Sequence, residues 1–399
     1  MPDRIRIGTI NNEFPGQKSR KTVFFLSCWG AGKLYWPRRM GLTKDRLAAL
    51  QRSFELALNE EWSRLATTQR RLSMLRLTLI RPRKTTARAL PVIATVATDG
   101  GENRLSLEPI RLQVVRVADS RGEIYFEEFI AQSLRPEEIM RFFFRSNSRF
   151  QKLLGCLRLD SEALLPQSDF QRSQLLSMLR ELMEWAALLK LAGQPPAKLL
   201  IRDGLLRSVL LTEVVFQRLA EKFEALTDKH GHLLVGVAKR SRVLSYLSVA
   251  LGLNDCFAEA GPAYLRVPPE LEQEAAPAQY RWIGNRAMGC LHIARLDRGE
   301  GVPLMPVDVP AWQCDRVDGS MSLLHESAQA SFPTRGYPQA LVQAHEHARL
   351  GGVEIEMLES LLLEQVARRN SAVARQARQL MLLGKKLVEP AEDSPRNES

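Results

Sequence analysis

Two dipeptides of one kind stand behind the most apolar short runs of the chain. Asp99-Gly100 follows VIATVAT, and Asp203-Gly204 follows LLIR, 104 positions later. A carboxylate at the end of a buried strand is held rigidly at the rim of a sheet, where open α/β sheets bind ligands. If the two strands are neighbours, the aspartates converge and can chelate a hard divalent cation. The competing account is that Asp-Gly is a favoured hairpin turn, and ATDGGEN fits one. That account is weaker at Asp203, which does not connect two antiparallel strands. A third pair, Asp318-Gly319, follows the polar stretch Gln313–Val317 and reads as a plain loop.

Other conspicuous groups point elsewhere. Gly30-Ala31-Gly32-Lys33 is followed by Leu34, so it lacks the spacing and the hydroxyl of a phosphate loop. His345-Glu346-His347 is not HExxH, which removes a zinc-protease reading. The two histidines lie about 200° apart around a helix, so both cannot face one site. Cys28, Cys156, Cys256, Cys290 and Cys314 contain no CxxC pair, a set that suits a reducing cytoplasm. The cluster Arg141–Arg145 is expected to pack its rings in a core rather than stack them on bases. His230 and His232 read as loop residues, and His292 as lying on the polar face of a strand.

The elements that must position the aspartates follow from periodicity. Leu47, Leu50, Phe54, Leu58, Trp62 and Leu65 recur at helical intervals, predicting long amphipathic helices over 42–80. Such helices either pack on their own domain or serve a partner. Seven basic residues and no acidic one occupy 70–88, as a solvated face or a track for a phosphate backbone. Strands are predicted at 91–98, 105–117 and 123–129, the last two joined by a turn at Asp119–Gly122. Helical stretches over 135–191, 209–227 and 241–251 alternate with strands at 198–202, 233–237 and 288–296. Helices close the chain at 337–350, 354–369 and 373–387.

This order implies an α/β fold whose sheet opens with an antiparallel meander. We divide it into an N-terminal helical extension (1–85), a main domain (86–387) and a disordered tail (388–399). With 56 Lys plus Arg against 45 Asp plus Glu, the chain carries +11, which favours a polyanionic partner. It shows neither a signal peptide nor a membrane-spanning run, so a cytoplasmic location is expected.

Four pieces in order, IATVATDGG at 93–101, LLIRDGLL at 199–206, GVAKRSR at 236–242 and RGYPQALVQAHEHAR at 335–349, resemble the NurA nucleases. The resemblance implies a ribonuclease H-like mixed sheet flanked by helices and a homodimer. It implies a deoxyribonuclease dependent on Mn²⁺ or Mg²⁺, acting on single- and double-stranded DNA by 5′-to-3′ exonuclease and possible endonuclease action. It also implies work in DNA end resection and repair beside a hexameric HerA-type ATPase. Asp99 and Asp203 match the family's metal carboxylates, Lys239 its lysine after the next strand, and His345 its histidine. The family's middle glutamate falls on Arg180–Trp185, where Glu184 is preferred and Glu181 is the alternative. The family's Asp-Gly is commonly followed by Ser, whereas Gly101 and Leu205 stand here.

These roles are chemically coherent. Phosphodiester cleavage needs an activated water and a stabilised leaving oxygen, which two cations about 3.5–4 Å apart supply together. Asp99, Glu184, Asp203 and His345 are then the metal ligands, and Lys239 neutralises the phosphate as a point charge. His345 can also position the water or protonate the leaving group. Arg81, Arg83, Lys84, Arg88 and Arg349 are the candidate DNA contacts. The rival reading is a catalytically silent DNA-binding adaptor of a motor ATPase. A different ribonuclease H-like nuclease is a third.

Overall fold

The computed structural model describes residues 44–80, 94–107, 110–131, 148–166, 168–239, 261–275, 286–299, 301–329 and 331–388, with a few isolated positions between them. The predicted irregular start, most of the 241–251 helix, the ring cluster at 142–145 and the tail from 389 fall outside these residues. So do Arg81, Arg83, Lys84 and Arg88. The chain divides into two units between Trp62 and Ser63. Helix α1 (Lys44–Ser73) runs through that division. In the first unit its apolar side chains Leu47, Leu50, Phe54, Leu58 and Trp62 are exposed.

The second unit is built on a nine-stranded sheet. Its strands are β1 (Thr78–Leu79), β2 (Ala94–Leu107), β3 (Ile110–Asp119), β4 (Ile124–Ala131), β5 (Lys198–Asp203), β6 (Leu233–Val237), β7 (Ala263–Arg266), β8 (Gly289–Arg295) and β9 (Leu304–Pro310). They lie in the order β1-β7-β8-β9-β6-β5-β2-β3-β4. The meander β2-β3-β4 is antiparallel, while β5 and β6 run parallel to β2. This is the ribonuclease H-like arrangement. The central strands carry apolar side chains on both faces, because helices cover both.

One face is covered by α4 (Leu175–Ala192) and α5 (Glu213–His230). There Val96, Leu200 and Leu234 meet Trp185, Phe216 and Phe223. The indole stands edge-on to both phenyl rings, at centroid distances of 6.0 and 5.6 Å. The other face is covered by α7 (Val317–Gln329) and α8 (Gln339–Ala348), against Ala97, Leu199, Ile201 and Val235. The remaining helices are α2 (Ser148–Leu157), α3 (Asp169–Ser173), α6 (Pro269–Ala275), α9 (Gly352–Arg369) and α10 (Ser371–Val388).

Several boundaries differ from the periodicity, each for a local reason. The helix predicted from Val209 begins only at Glu213, since Thr212 Oγ1 accepts the N–H of Val215 as an N-cap. It ends where Gly231 turns left-handed at φ 67°. Strand β2 does not stop at Asp99: it continues to Leu107, paired with β3 as far as Leu107↔Ile110. The predicted 105–117 strand is thus two strands, and ATDGGEN is not a turn. Asp318 is not in a loop either, but in the first turn of α7, where it accepts a hydrogen bond from Tyr264 Oη. His292 is buried beside Tyr264 rather than on a polar face. His232 is fully buried, taking the N–H of Lys198 at Nδ1 and meeting the Ala192 carbonyl at Nε2.

Candidate metal centre

The β2–β5 register brings Ala94 opposite Lys198 and Thr98 opposite Arg202, so Asp99 and Asp203 come next, side by side. His345, from α8, closes the group. One ligand atom from each of Asp99, Asp203 and His345 lies within 4.8 Å of the others, the one such cluster among the described residues. His345 Nδ1 is 2.8 Å from Asp99 Oδ2, and the N–H of Gly100 donates to Asp99 Oδ1 at 2.7 Å. Two carboxylates and an imidazole are a donor set that suits Mn²⁺ and also accepts Mg²⁺ through its oxygens.

Backbone packing fixes this convergence. Helix α8 turns Ala340, Ala344 and Ala348 inward at four-residue spacing, and small side chains let a helix lie close to a sheet. At Gly101 the approach is close enough that a Cβ would lie 2.9 Å from the carbonyl carbon of Ala348. Beyond β5 the chain turns at Gly204, whose φ of +115° disfavours any side chain, and passes over Gly236 of β6. The loop is then tied down by Asp308 on β9, fully buried, which accepts the N–H of Leu206 and pairs with Arg207 at 2.6 Å.

Lys239 follows β6 and places Nζ 3.3 Å from Asp203 Oδ2, with its side chain 42% exposed. Burial and the charge of Asp99 push the Asp203 pKa up to about 6, with Lys239 pulling it down. Tyr337 joins the site as well. Its buried hydroxyl has no hydrogen-bond partner among the described residues, and its ring lies 5.4 Å from Lys239 Nζ. Burial, then the Asp203 and Asp99 charges, hold its pKa well above the ordinary tyrosine value. The signal for it was the unusual position of a large aromatic in RGYP, ahead of the helix that carries His345.

Glu184 stands outside the three-residue cluster. It belongs to α4, on the face of the sheet toward which Gly100 points; Gly101 faces α8. Its oxygens are held by Arg180 Nη1 at 2.9 Å and Arg202 Nη2 at 3.4 Å. Burial pushes its pKa up to about 8, against the lowering by Arg180 and Arg202. Glu181, the alternative, lies 3.3 Å from Arg202 and accepts from Trp185 Nε1. Arg349 follows the end of α8. It lines a cavity of about 550 Å³ with His347, Arg116 and Glu354.

Residues 93–350 match the family model described as the NurA domain. The chain belongs to the NurA family. The crystal structure of the NurA nuclease from Sulfolobus solfataricus is 13% identical, the match covering 82% of this chain and 98% of that one, with a TM-score of 0.45. A NurA structure bound to dAMP and manganese is 13% identical over 78% of this chain and 94% of that one, with a TM-score of 0.35. No curated protein sequence matches the chain. Where the NurA pattern commonly has Ser after its first Asp-Gly, the seat of Gly101 against Ala348 explains the glycine here. No helix among the described residues is long and apolar enough to cross a membrane.

Proposed function

We propose that the chain is a metal-dependent deoxyribonuclease in which Asp99, Asp203 and His345 hold a manganese or magnesium ion. The convergence of these three side chains, the aspartates 104 positions apart, is the observation that carries the reading. An ion so held activates water and takes up charge on the phosphate. Lys239, half-exposed beside Asp203, meets a phosphate oxygen as a point charge. The imidazole of His345, 48% exposed, is placed to ligate the ion or to pass a proton to or from the reacting oxygens. Tyr337 adds a buried hydroxyl with no hydrogen-bond partner among the described residues. The charge of +11 supports a polyanionic substrate.

Within the NurA family the finer reading is 5′-to-3′ digestion of DNA ends in resection and repair. It includes a homodimer beside a hexameric HerA-type ATPase, in the cytoplasm. The first test incubates end-labelled DNA with the purified chain, with and without Mn²⁺. Asp99→Ala and Asp203→Asn should each lower cleavage by at least about 10³-fold, about 4 kcal/mol of barrier, with circular dichroism unchanged. Full activity in either variant defeats the assignment. Binding without degradation, even with a motor ATPase added, favours the adaptor reading.

A further inference from the structure

We infer that the Arg180 guanidinium stands where a second metal ion would bind, so that each chain takes up a single divalent cation; this rests on the nuclease reading above. Two carboxylate clusters lie close to Asp99, and they differ in what faces them. On the α8 face, Asp99, Asp203 and His345 converge, with Lys239 Nζ 3.3 Å from Asp203 Oδ2. On the α4 face, the oxygens suited to a second ion are those of Glu184, Glu102 and the Gly100 carbonyl.

Arg180 has taken all three. Its Nη1 donates to Glu184 Oε1 at 2.9 Å and to the Gly100 carbonyl at 3.0 Å, and its Nε donates to Glu102 Oε1 at 2.8 Å. The remaining Glu184 oxygen faces Arg202, and that carboxylate is 3% exposed. Burial works against the charge of Arg180, yet Glu184 and Glu102 outweigh it and hold its pKa above the ordinary value. An entering divalent ion would have to displace this tethered cation and would meet Arg202 behind it. A guanidinium stays charged at any working pH, so positive charge at this point does not depend on metal supply.

The test counts bound Mn²⁺ on the full chain by equilibrium dialysis with elemental analysis, and looks for spin coupling between ions by electron paramagnetic resonance. The wild type should bind one ion per chain, with an uncoupled spectrum. Arg180→Ala frees the three oxygens and should bind two ions. Arg180→Lys, which keeps a cation there, should return the count to one. If Arg180→Ala does not fold, Arg180→Met, which keeps the stem and loses the charge, should bind two ions, and a count of one in it overturns the inference equally. Two ions in the wild type, or one in folded Arg180→Ala, overturns the inference. The Asp99→Ala, Asp203→Asn double variant separates the two claims. An ion count unchanged by that variant means the nuclease site is wrong, whatever Arg180 does.

Discussion

Replacing Gly101 by Ala offers a sharp test of how α8 sets the metal centre. The new Cβ would lie 2.9 Å from the Ala348 carbonyl carbon and nearer still to its oxygen, both backbone atoms that cannot rotate away. Reaching ordinary carbon contact requires the end of α8 to move off β2 by about 1 Å. Overpacking of this kind costs about 1–3 kcal/mol, which in a unit of this size lowers Tm by about 2–5 °C. The movement is transmitted to His345, three residues earlier on the same helix and 2.8 Å from Asp99. Metal ligands tolerate displacements of only about 0.2 Å, so Mn²⁺ affinity should fall at least about tenfold, or 1.4 kcal/mol. Calorimetric titration with Mn²⁺ beside a thermal melt reads both effects. Gly319→Ala, where a Cβ meets nothing within 4 Å, is the control and should leave both unchanged or slightly raise Tm. If Gly101→Ala matches the wild type in Tm and in Mn²⁺ affinity, the close seat of α8 does not position His345.

Other consequences are open to direct measurement. Because Asp203 is raised to about 6, protons compete with the ion below that pH, and Mn²⁺ affinity should drop about tenfold per unit there and level off above it. Without metal the sign is the reverse: the fold binds a proton that the unfolded chain has released, so this group favours the fold as pH falls toward the ordinary carboxylate range. An affinity flat from pH 5 to 7 contradicts both statements. His232 is lowered to about 4 by burial, so the unfolded chain protonates first, and stability should fall by about 3 kcal/mol as pH drops from about 6.5 to 4. Denaturant melts across that range should show the loss, and His232→Gln should flatten it. Lys239→Met removes a cation that lowers Asp203, so the midpoint of the Mn²⁺ pH profile should move upward; an unmoved midpoint argues against their coupling. Deleting residues 1–62 removes the exposed apolar side chains of the first unit, and light scattering should then report weaker self-association or weaker binding to a motor ATPase. A cut at residue 80 would not test this, since Leu72 and Ile80 are core residues.

Much of the site was legible because its signals are local. The apolar run before Asp99 and the one before Asp203 predicted buried strands, and both aspartates lie at the rim those strands share. Local signals also misled. Asp99-Gly100 looks like a turn to any scheme that reads torsional preference, yet β3 pairs with it and draws the strand through. Strand β9 was missed because LMPVDVP has two prolines, although it lies between β6 and β8. Cys290 and Cys314, scattered in sequence, have their thiols 3.6 Å apart as free cysteines.

By itself, the order of residues determined which side chains could bind a cation, which segments had to be buried, and a net charge of +11 that favours a polyanionic partner. Those properties follow from residue type and short-range periodicity, which persist in an extended chain. Only the folded arrangement decided that His345 reaches Asp99, that Tyr337 enters the site, and that Arg180 reaches the oxygens of Glu184. A carboxylate can bind an ion only if no other cation has already taken its oxygens, and that depends on distances between segments far apart in the chain.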